Sequence, residues 1–178
     1  MLITPHTDAN NTGCNTQANG EYLRYLSDLK LRIASCRRKQ PLTWLLRKDV
    51  NCAGTAIYLV GDASRDGYIE TITLYNKYLS SLKQVDSPVA GCLIAWVGRY
   101  GISWRARLNL PSEPNTCHIG VVSATDPPRV THRDGLRGSF VIDAPIDAVE
   151  SEISTHIFSR KLYLPSTMMA FSANDAKS

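Results

Sequence analysis

The order of hydrophobic patterns along the chain is the sequence feature that most restricts its fold. In the first half, apolar residues recur at three- and four-residue steps, which is the spacing of one helical face. This spacing predicts helices at residues 21–38 and 68–82, and a short run of small apolar residues predicts a buried helix at 53–60. Pro41 follows the first helix as a breaker. The helical half is expected to end at Ser87-Pro88.

Strand patterns follow this helical half. Residues 100–108 alternate between apolar and polar, and Gly98-Arg99 is predicted to turn a hairpin between this run and the apolar run 89–97. Further strands are predicted at residues 118–122, 129–132, 139–143 and 157–164, with a short helix between Pro145 and Ile153. Helices followed by strands predict an α+β fold, in which N-terminal helices pack on an antiparallel sheet.

The composition is that of one globular domain. The chain has 178 residues, of which 43% are hydrophobic and 20% are charged, enough to build a core. We expect one domain at residues 20–165. Residues 1–19 are polar and rich in Asn, Thr and Gly, so they are expected to be a flexible lead, and residues 166–178 are expected to be a frayed tail.

Charge, cysteine and hydropathy patterns argue against several classes of function. The net charge is only +4 and the basic residues are scattered apart from Arg37-Arg38-Lys39, so no nucleic-acid partner is expected. Five cysteines without CxxC spacing and four histidines predict no metal, no cofactor and no disulfide framework. No apolar run approaches a membrane span, so no membrane partner is expected. The N-terminus lacks the basic region of a Sec signal, so we expect cytoplasmic synthesis, with export by a specialised secretion system or release on lysis.

A cysteine and a histidine stand at the starts of two predicted elements. Asn51-Cys52-Ala53-Gly54 opens the short apolar helix, with Asn51 as a suitable N-cap, and His118 opens an apolar strand. The thiolate is the reactive form of cysteine, and a helix N-terminus and a nearby imidazolium both stabilise it. We therefore expect a lowered pKa for Cys52, if the fold brings the two residues together.

Three segments, in this order, resemble the NlpC/P60 family of papain-like cysteine peptidases and amidases. Its Asp-Cys-Ser-Gly-type box corresponds to Asn51-Cys52-Ala53-Gly54. Its Pro-Gly-Asp-Leu-type strand start corresponds to Pro88-Val89-Ala90-Gly91-Cys92-Leu93-Ile94-Ala95-Trp96. Its His-Val-Gly-Ile-type strand corresponds to His118-Ile119-Gly120-Val121. The resemblance spans roughly residues 40 to 145 and implies a papain-like fold.

The resemblance implies a catalytic set. Cys52 would be the nucleophile and His118 the general base, with the Cys52 backbone N–H in the oxyanion hole. His132 would orient His118, and Asp126 and Asp134 are alternatives for that role. The remaining cysteines are expected to pack as small apolar residues: Cys14, Cys36, Cys92 and Cys117.

The substrate site departs from the family pattern. Asn51 replaces the usual acid, Ala53 the usual serine, and Cys92 the acid after Gly91. The resemblance implies that Trp44, in place of a tyrosine, lines the substrate site together with Asn51, Ala53 and Gly54.

The resemblance implies a cysteine hydrolase that cleaves an amide bond. The first expected substrate is a peptidoglycan stem peptide or crosslink, attacked by a phage-type enzyme or an exported antibacterial enzyme. One alternative is an effector that cleaves or deamidates a host protein or another protein. Another is an inactive papain-like binding module, and an immunity or adaptor protein is a candidate partner in either case.

Overall fold

The computed structural model describes residues 12–38, 50–70, 73–99, 114–134, 139–153 and 158–175. The α-helices are α1 (Thr12–Arg38), α2 (Cys52–Leu59), α3 (Ile146–Ile153) and α4 (Ser166–Asp175). A π-helical turn (Leu74–Tyr78) continues into a 3₁₀ turn (Leu79–Ser81). The strands are β1 (Lys83–Val85), β2 (Leu93–Arg99), β3 (Pro114–Thr125), β4 (Pro128–Arg133), β5 (Phe140–Pro145) and β6 (Phe158–Leu164).

The six strands form one antiparallel sheet in the order β1-β6-β2-β3-β4-β5. Strand β6 inserts between β1 and β2, while β2 to β5 follow one another as a meander. The expected α+β class is confirmed.

The sheet carries a separate core on each face. Successive strand residues point to opposite faces, and β2 shows this alternation along its length. Leu93, Ala95 and Val97 pack in the core that includes α1 and α2. Ile94 and Trp96 pack in the core that includes α3. The sheet is therefore sandwiched between α1 and α2 on one side and α3 on the other.

Helix α1 is attached to the segment that leads into β2. The Tyr25 hydroxyl donates to the Gly91 carbonyl at 2.6 Å, and the Tyr22 hydroxyl donates to the Ala90 carbonyl at 3.0 Å. Gly91 has a φ of 87°, a left-handed conformation that favours glycine. A Cβ at this position would lie 2.4 Å from Cε1 of Tyr25, so the close approach of the tyrosine also requires glycine.

Several predicted elements are confirmed. Helix α2 and the short helix α3 lie where the sequence places them. Strands β4, β5 and β6 overlap the predicted segments, and a turn at Asp126-Pro127-Pro128 connects β3 to β4. These elements were predictable because each depends on local signals, namely caps, turn residues and alternation.

Helices occupy parts of both terminal segments, which were expected to be a flexible lead and a frayed tail. Helix α1 starts at Thr12, inside the expected flexible lead, because elongation of a docked helix adds one hydrogen bond for each residue fixed. The expected frayed tail contains α4. Its Ser166 N–H donates to Asp62 Oδ2 at 3.0 Å, and its Thr167 hydroxyl donates to the Val60 carbonyl at 2.9 Å. Contacts with a distant part of the chain therefore order this segment.

Two internal predictions also need correction. Of the helix expected at residues 68–82, residues 68–70 are not helical, because they belong to an irregular segment held against the start of α2, whereas residues 73–81 are helical and end in the π and 3₁₀ turns. Gly98 and Arg99 do not turn a hairpin, since they continue β2 and pair with Asn115 and Pro114 of β3. Strand β1 was not predicted. The strand expected at 100–108 lies outside the described residues.

No helix within the described ranges is both long and apolar enough to span a lipid bilayer.

Candidate functional site

The start of helix α2 is fixed by the asparagine that precedes the candidate nucleophile. Asn51 has extended backbone angles, and its side-chain oxygen accepts a hydrogen bond from the Gly54 N–H at 2.9 Å. This is the N-cap interaction that the sequence predicts. It leaves Cys52 as the first helical residue, beside the unpaired N–H groups of the helix N-terminus.

The same asparagine attaches the helix to the segment after it. Its Oδ1 also accepts from the Ile69 N–H at 3.1 Å, and its Nδ2 donates to the Ile69 carbonyl at 2.7 Å. Gly54 permits this approach, because a Cβ there would lie 1.8 Å from the Gly67 carbonyl oxygen. The position of Cys52 is thus set by contacts on both sides of the helix start.

The two predicted histidines lie together on adjacent strands. The Nε2 atom of His118, on β3, is 2.8 Å from Nδ1 of His132, on β4. Their rings meet edge to face, with centroids 4.8 Å apart and planes at 87°. Both side chains are buried. The structure therefore brings together the base and the orienting residue that the sequence suggests.

A tryptophan packs beside this histidine pair. Trp96 is the cross-strand neighbour of His118, and their ring centroids are 5.6 Å apart. The indole N–H donates to Glu150 Oε1 of α3 at 2.9 Å, so the ring is held in place. Such a fully buried ring excludes water from one side of the His118 imidazole.

Cys52 approaches β3 one residue beyond His118. The backbone N–H of Ile119 lies within hydrogen-bonding reach of the Cys52 sulfur, and the Ile119 side chain belongs to the same core as Cys52. The His118 side chain leaves β3 on the other face, toward Trp96. Across the described part of the chain, no hydrogen bond joins Cys52 to His118. The structure thus places the Cys52 thiol and the His118 imidazole on opposite faces of the sheet, and the expected meeting of the two side chains is not seen.

The expected low pKa of Cys52 is wrong. Burial raises the pKa of this thiol, and the N–H groups of Ile119, Ala53 and Cys52 itself, which lower it, only partly compensate. Burial, together with the neighbouring His132, lowers the pKa of His118 to about 4, while Asp134 opposes the shift. At neutral pH the site therefore holds a thiol and a neutral imidazole rather than an ion pair.

The β3–β4 hairpin places the candidates for the orienting role at different distances from His118. Asp126 is exposed in the turn at the far end of this hairpin, away from His118. His132 makes the hydrogen bond to His118. Burial lowers the pKa of His132, whereas the charges of Glu152 and Asp134 raise it. Asp134 thus contributes to the electrostatics of both histidines.

Sequence reasoning missed a buried polar network beside this site. Arg133 donates from Nη2 to Asp66 Oδ2 at 2.8 Å and from Nε to the Thr55 hydroxyl at 2.8 Å, and that hydroxyl donates to Asp66 Oδ1 at 2.7 Å. The side chains of Arg133 and Asp66 are only 2% and 9% exposed. Asp66 is therefore a buried ion-pair partner rather than a solvated surface charge. A charged residue at an inward position of a strand is the one signal that could have indicated the pair.

Three of the predicted substrate-binding residues have structural roles in the fold, and the fourth lies outside the described residues. Asn51 caps α2 and bonds Ile69, Gly54 packs against Gly67, and the side chain of Ala53 is fully buried. Trp44 lies outside the described residues. That these residues bind substrate stays a prediction. As expected, Cys36 and Cys92 are buried.

Within the described ranges, no group of three or more His, Cys, Asp or Glu side chains is arranged to hold a metal ion. Comparison with models of protein families, with curated proteins and with solved structures finds no match to this chain.

Proposed function

We propose that this chain is a papain-like cysteine hydrolase that cleaves an amide bond. Cys52 is the nucleophile, His118 is the general base, and His132 orients His118. The papain-like character of the fold is part of this proposal, and it is supported by a cysteine at a helix N-terminus that packs against an antiparallel sheet carrying two histidines.

The hydrogen bond between His118 Nε2 and His132 Nδ1 is the observation that carries the proposal. If the shared proton resides on Nε2 of His118, Nδ1 of the same ring carries a lone pair and can accept a proton. When His118 becomes an imidazolium, His132 Nδ1 still accepts its Nε2–H, so the ring keeps its orientation. The pair therefore favours His118 as base and His132 as its support.

Because the pKa of Cys52 is raised and that of His118 is lowered, the thiol and the imidazole are both neutral before the reaction. The thiol must therefore lose its proton as it attacks. The Sγ proton passes to His118 Nδ1 while Sγ bonds to the carbonyl carbon of the substrate amide. The C–N bond then breaks, and His118 returns the proton to the leaving amine. Water, deprotonated by His118, attacks the thioester, releases the carboxylic acid product and restores the thiol.

The oxyanion formed in these steps would be stabilised by backbone N–H groups. The N–H groups of Cys52 and Ala53 open helix α2, where no intrahelical partner is available to them. Because Cys52 and His118 lie on opposite faces of the sheet, approach of Sγ to His118 Nδ1 requires the start of α2 and strand β3 to shift relative to one another when substrate binds. Catalytic contacts are often long in the absence of substrate and tighten when it binds.

The substrate proposed from the sequence resemblance is a peptidoglycan stem peptide or crosslink. The test is to incubate purified peptidoglycan of several stem-peptide types with the wild-type chain and with Cys52→Ala, and to detect released peptides by mass spectrometry. Cys92→Ala is the matched control, because Cys92 is also a buried thiol whose pKa is raised by burial. Release by the wild type and by Cys92→Ala, but not by Cys52→Ala, is the expected result. No release from any type contradicts the wall substrate.

A second candidate is a catalytically inactive binding module with the same fold. It is favoured by the burial of Cys52, which is 5% exposed, and by the missing contact with His118. The same incubations separate the two candidates. A chain that binds peptidoglycan or a partner protein equally well as wild type and as Cys52→Ala, and that releases no product, is a binding module.

A further inference from the structure

The Thr55–Asp66–Arg133 network links helix α2, which carries Cys52, to strand β4, which carries His132. Thr55 lies one helical turn after Cys52 on α2, and Arg133 directly follows His132 on β4. Asp66 belongs to the segment that returns alongside the start of α2. Thr55 Oγ1 accepts from Arg133 Nε at 2.8 Å, so a side chain of the helix is hydrogen-bonded directly to a side chain of the strand.

The chemistry of the network favours a fixed geometry. The guanidinium is planar, and its donors are arranged as a rigid fork. One donor meets the Thr55 hydroxyl and another meets the Asp66 carboxylate, while Thr55 donates to the second carboxylate oxygen. The Phe140 ring, with its centroid 5.6 Å from Cζ, packs against the guanidinium. Because Arg133 is 2% exposed, water cannot replace these partners without a change in packing.

We propose that Arg133 is a positioning residue, which through Thr55 and Asp66 holds helix α2 in register with strand β4 and so fixes Cys52 relative to the strands that carry His118 and His132. This inference rests on the proposed function, since it assigns a role in the same reaction. Arg133 acts through its neighbours, because it lies on the face of β4 opposite to His132.

The decisive variant is Thr55→Val, which removes the hydroxyl but keeps the shape and changes no charge. Its effect on the histidines therefore cannot be a direct electrostatic one. Thr55→Ser keeps the hydroxyl and serves as the conservative rescue. Arg129→Met is the control on the same strand, because the hydrogen bond that Arg129 donates to the Asp143 carbonyl, at 2.8 Å, is exposed.

Two measurements on folded protein test the role. NMR titration follows the imidazole nitrogens of His118 and His132 and the proton shared between them. Steady-state kinetics on released peptide separates kcat from KM. For Thr55→Val we expect the shared proton signal to be lost, the pKa of His118 to rise from about 4 toward its ordinary 6.5, and kcat to fall about tenfold with KM unchanged. The Thr55→Ser and Arg129→Met proteins should match the wild type.

The outcomes distinguish this inference from the proposed function. Thr55→Val with wild-type histidine titration and wild-type kcat overturns the positioning role. If Thr55→Val does not fold, Arg133→Lys decides in its place, because it keeps the charge and removes the Nε donor to Thr55. If the histidine signals change in the variant while even the wild type releases no product, the link between helix and strand stands and the hydrolase proposal fails.

Discussion

The buried histidine pair should make the folded protein less stable in acid. His118 titrates near 6.5 in an unfolded chain, whereas in the folded protein burial and the neighbouring His132 lower its pKa to about 4. The folded state therefore holds the imidazole neutral at pH values where the unfolded state binds a proton. The contribution to stability is fully present above pH 6.5 and is lost as the pH falls toward 4.

The size of this loss follows from the two pKa values. Each unit of difference is worth about 1.4 kcal/mol, so the change from 6.5 to about 4 removes about 3 kcal/mol from the free energy of unfolding. The shift of His132 has the same direction and adds to the loss. Out of a total stability of about 5–15 kcal/mol, this is a large share.

Urea unfolding at several pH values between 7.5 and 4, monitored by tryptophan fluorescence, measures this loss. His118→Gln is the matched variant, because glutamine can still donate to His132 Nδ1 and does not titrate in this range. Carboxylates titrate in both proteins, so the difference between their two pH profiles isolates His118. The wild type should lose about 3 kcal/mol more than the variant. Parallel profiles would refute the assignment of a buried, neutral His118.

Three further predictions concern the start of α2. Gly54→Ala should destabilise the fold by at least about 2 kcal/mol, because its Cβ would overlap the Gly67 carbonyl. Gly20→Ala is the control and should not destabilise the fold, because its Cβ meets nothing within 4 Å. Equal shifts of the thermal midpoint in the two variants would contradict this packing. Asn51→Ala should lower the free energy of unfolding, measured by chemical denaturation, by about 2 kcal/mol, because the cap and the hydrogen bonds to the 67–69 segment are lost. Asn51→Asp keeps the cap acceptor and should lose about half as much. Equal losses in the two variants would contradict the capping role. The rate of Cys52 alkylation by iodoacetamide, followed by peptide mapping, should reach half its maximum above pH 8.5, and a midpoint below that value would contradict the raised pKa.

The local parts of the fold could be predicted from sequence. Helix α2 and its cap follow from an asparagine before a short apolar run, because the capping interaction is made within four residues. The meander from β3 to β5 follows from alternation and from the turn at Asp126-Pro127-Pro128. The meeting of His118 with His132 also follows from this hairpin, since adjacent antiparallel strands bring such residues together.

The features that depend on distant contacts could not be predicted. Helix α4 is ordered by oxygen atoms of Val60 and Asp62, more than a hundred residues earlier in the chain. The pairing of Arg133 with Asp66 likewise joins two segments that no local pattern relates. The pKa of Cys52 was predicted in the wrong direction, because a helix N-terminus is visible in sequence whereas the extent of burial is set by the whole fold.

The central claim is that the Cys52 sulfur forms a thioester with the substrate. Wild-type protein mixed with peptidoglycan fragments, quenched in acid within its first turnovers and analysed by intact mass spectrometry and peptide mapping, tests this claim directly. We predict a mass increase equal to the acyl fragment, located on Cys52 in the wild type and in Cys92→Ala and absent from Cys52→Ala. Turnover that persists in Cys52→Ala, or an adduct on another residue, would contradict the proposed mechanism.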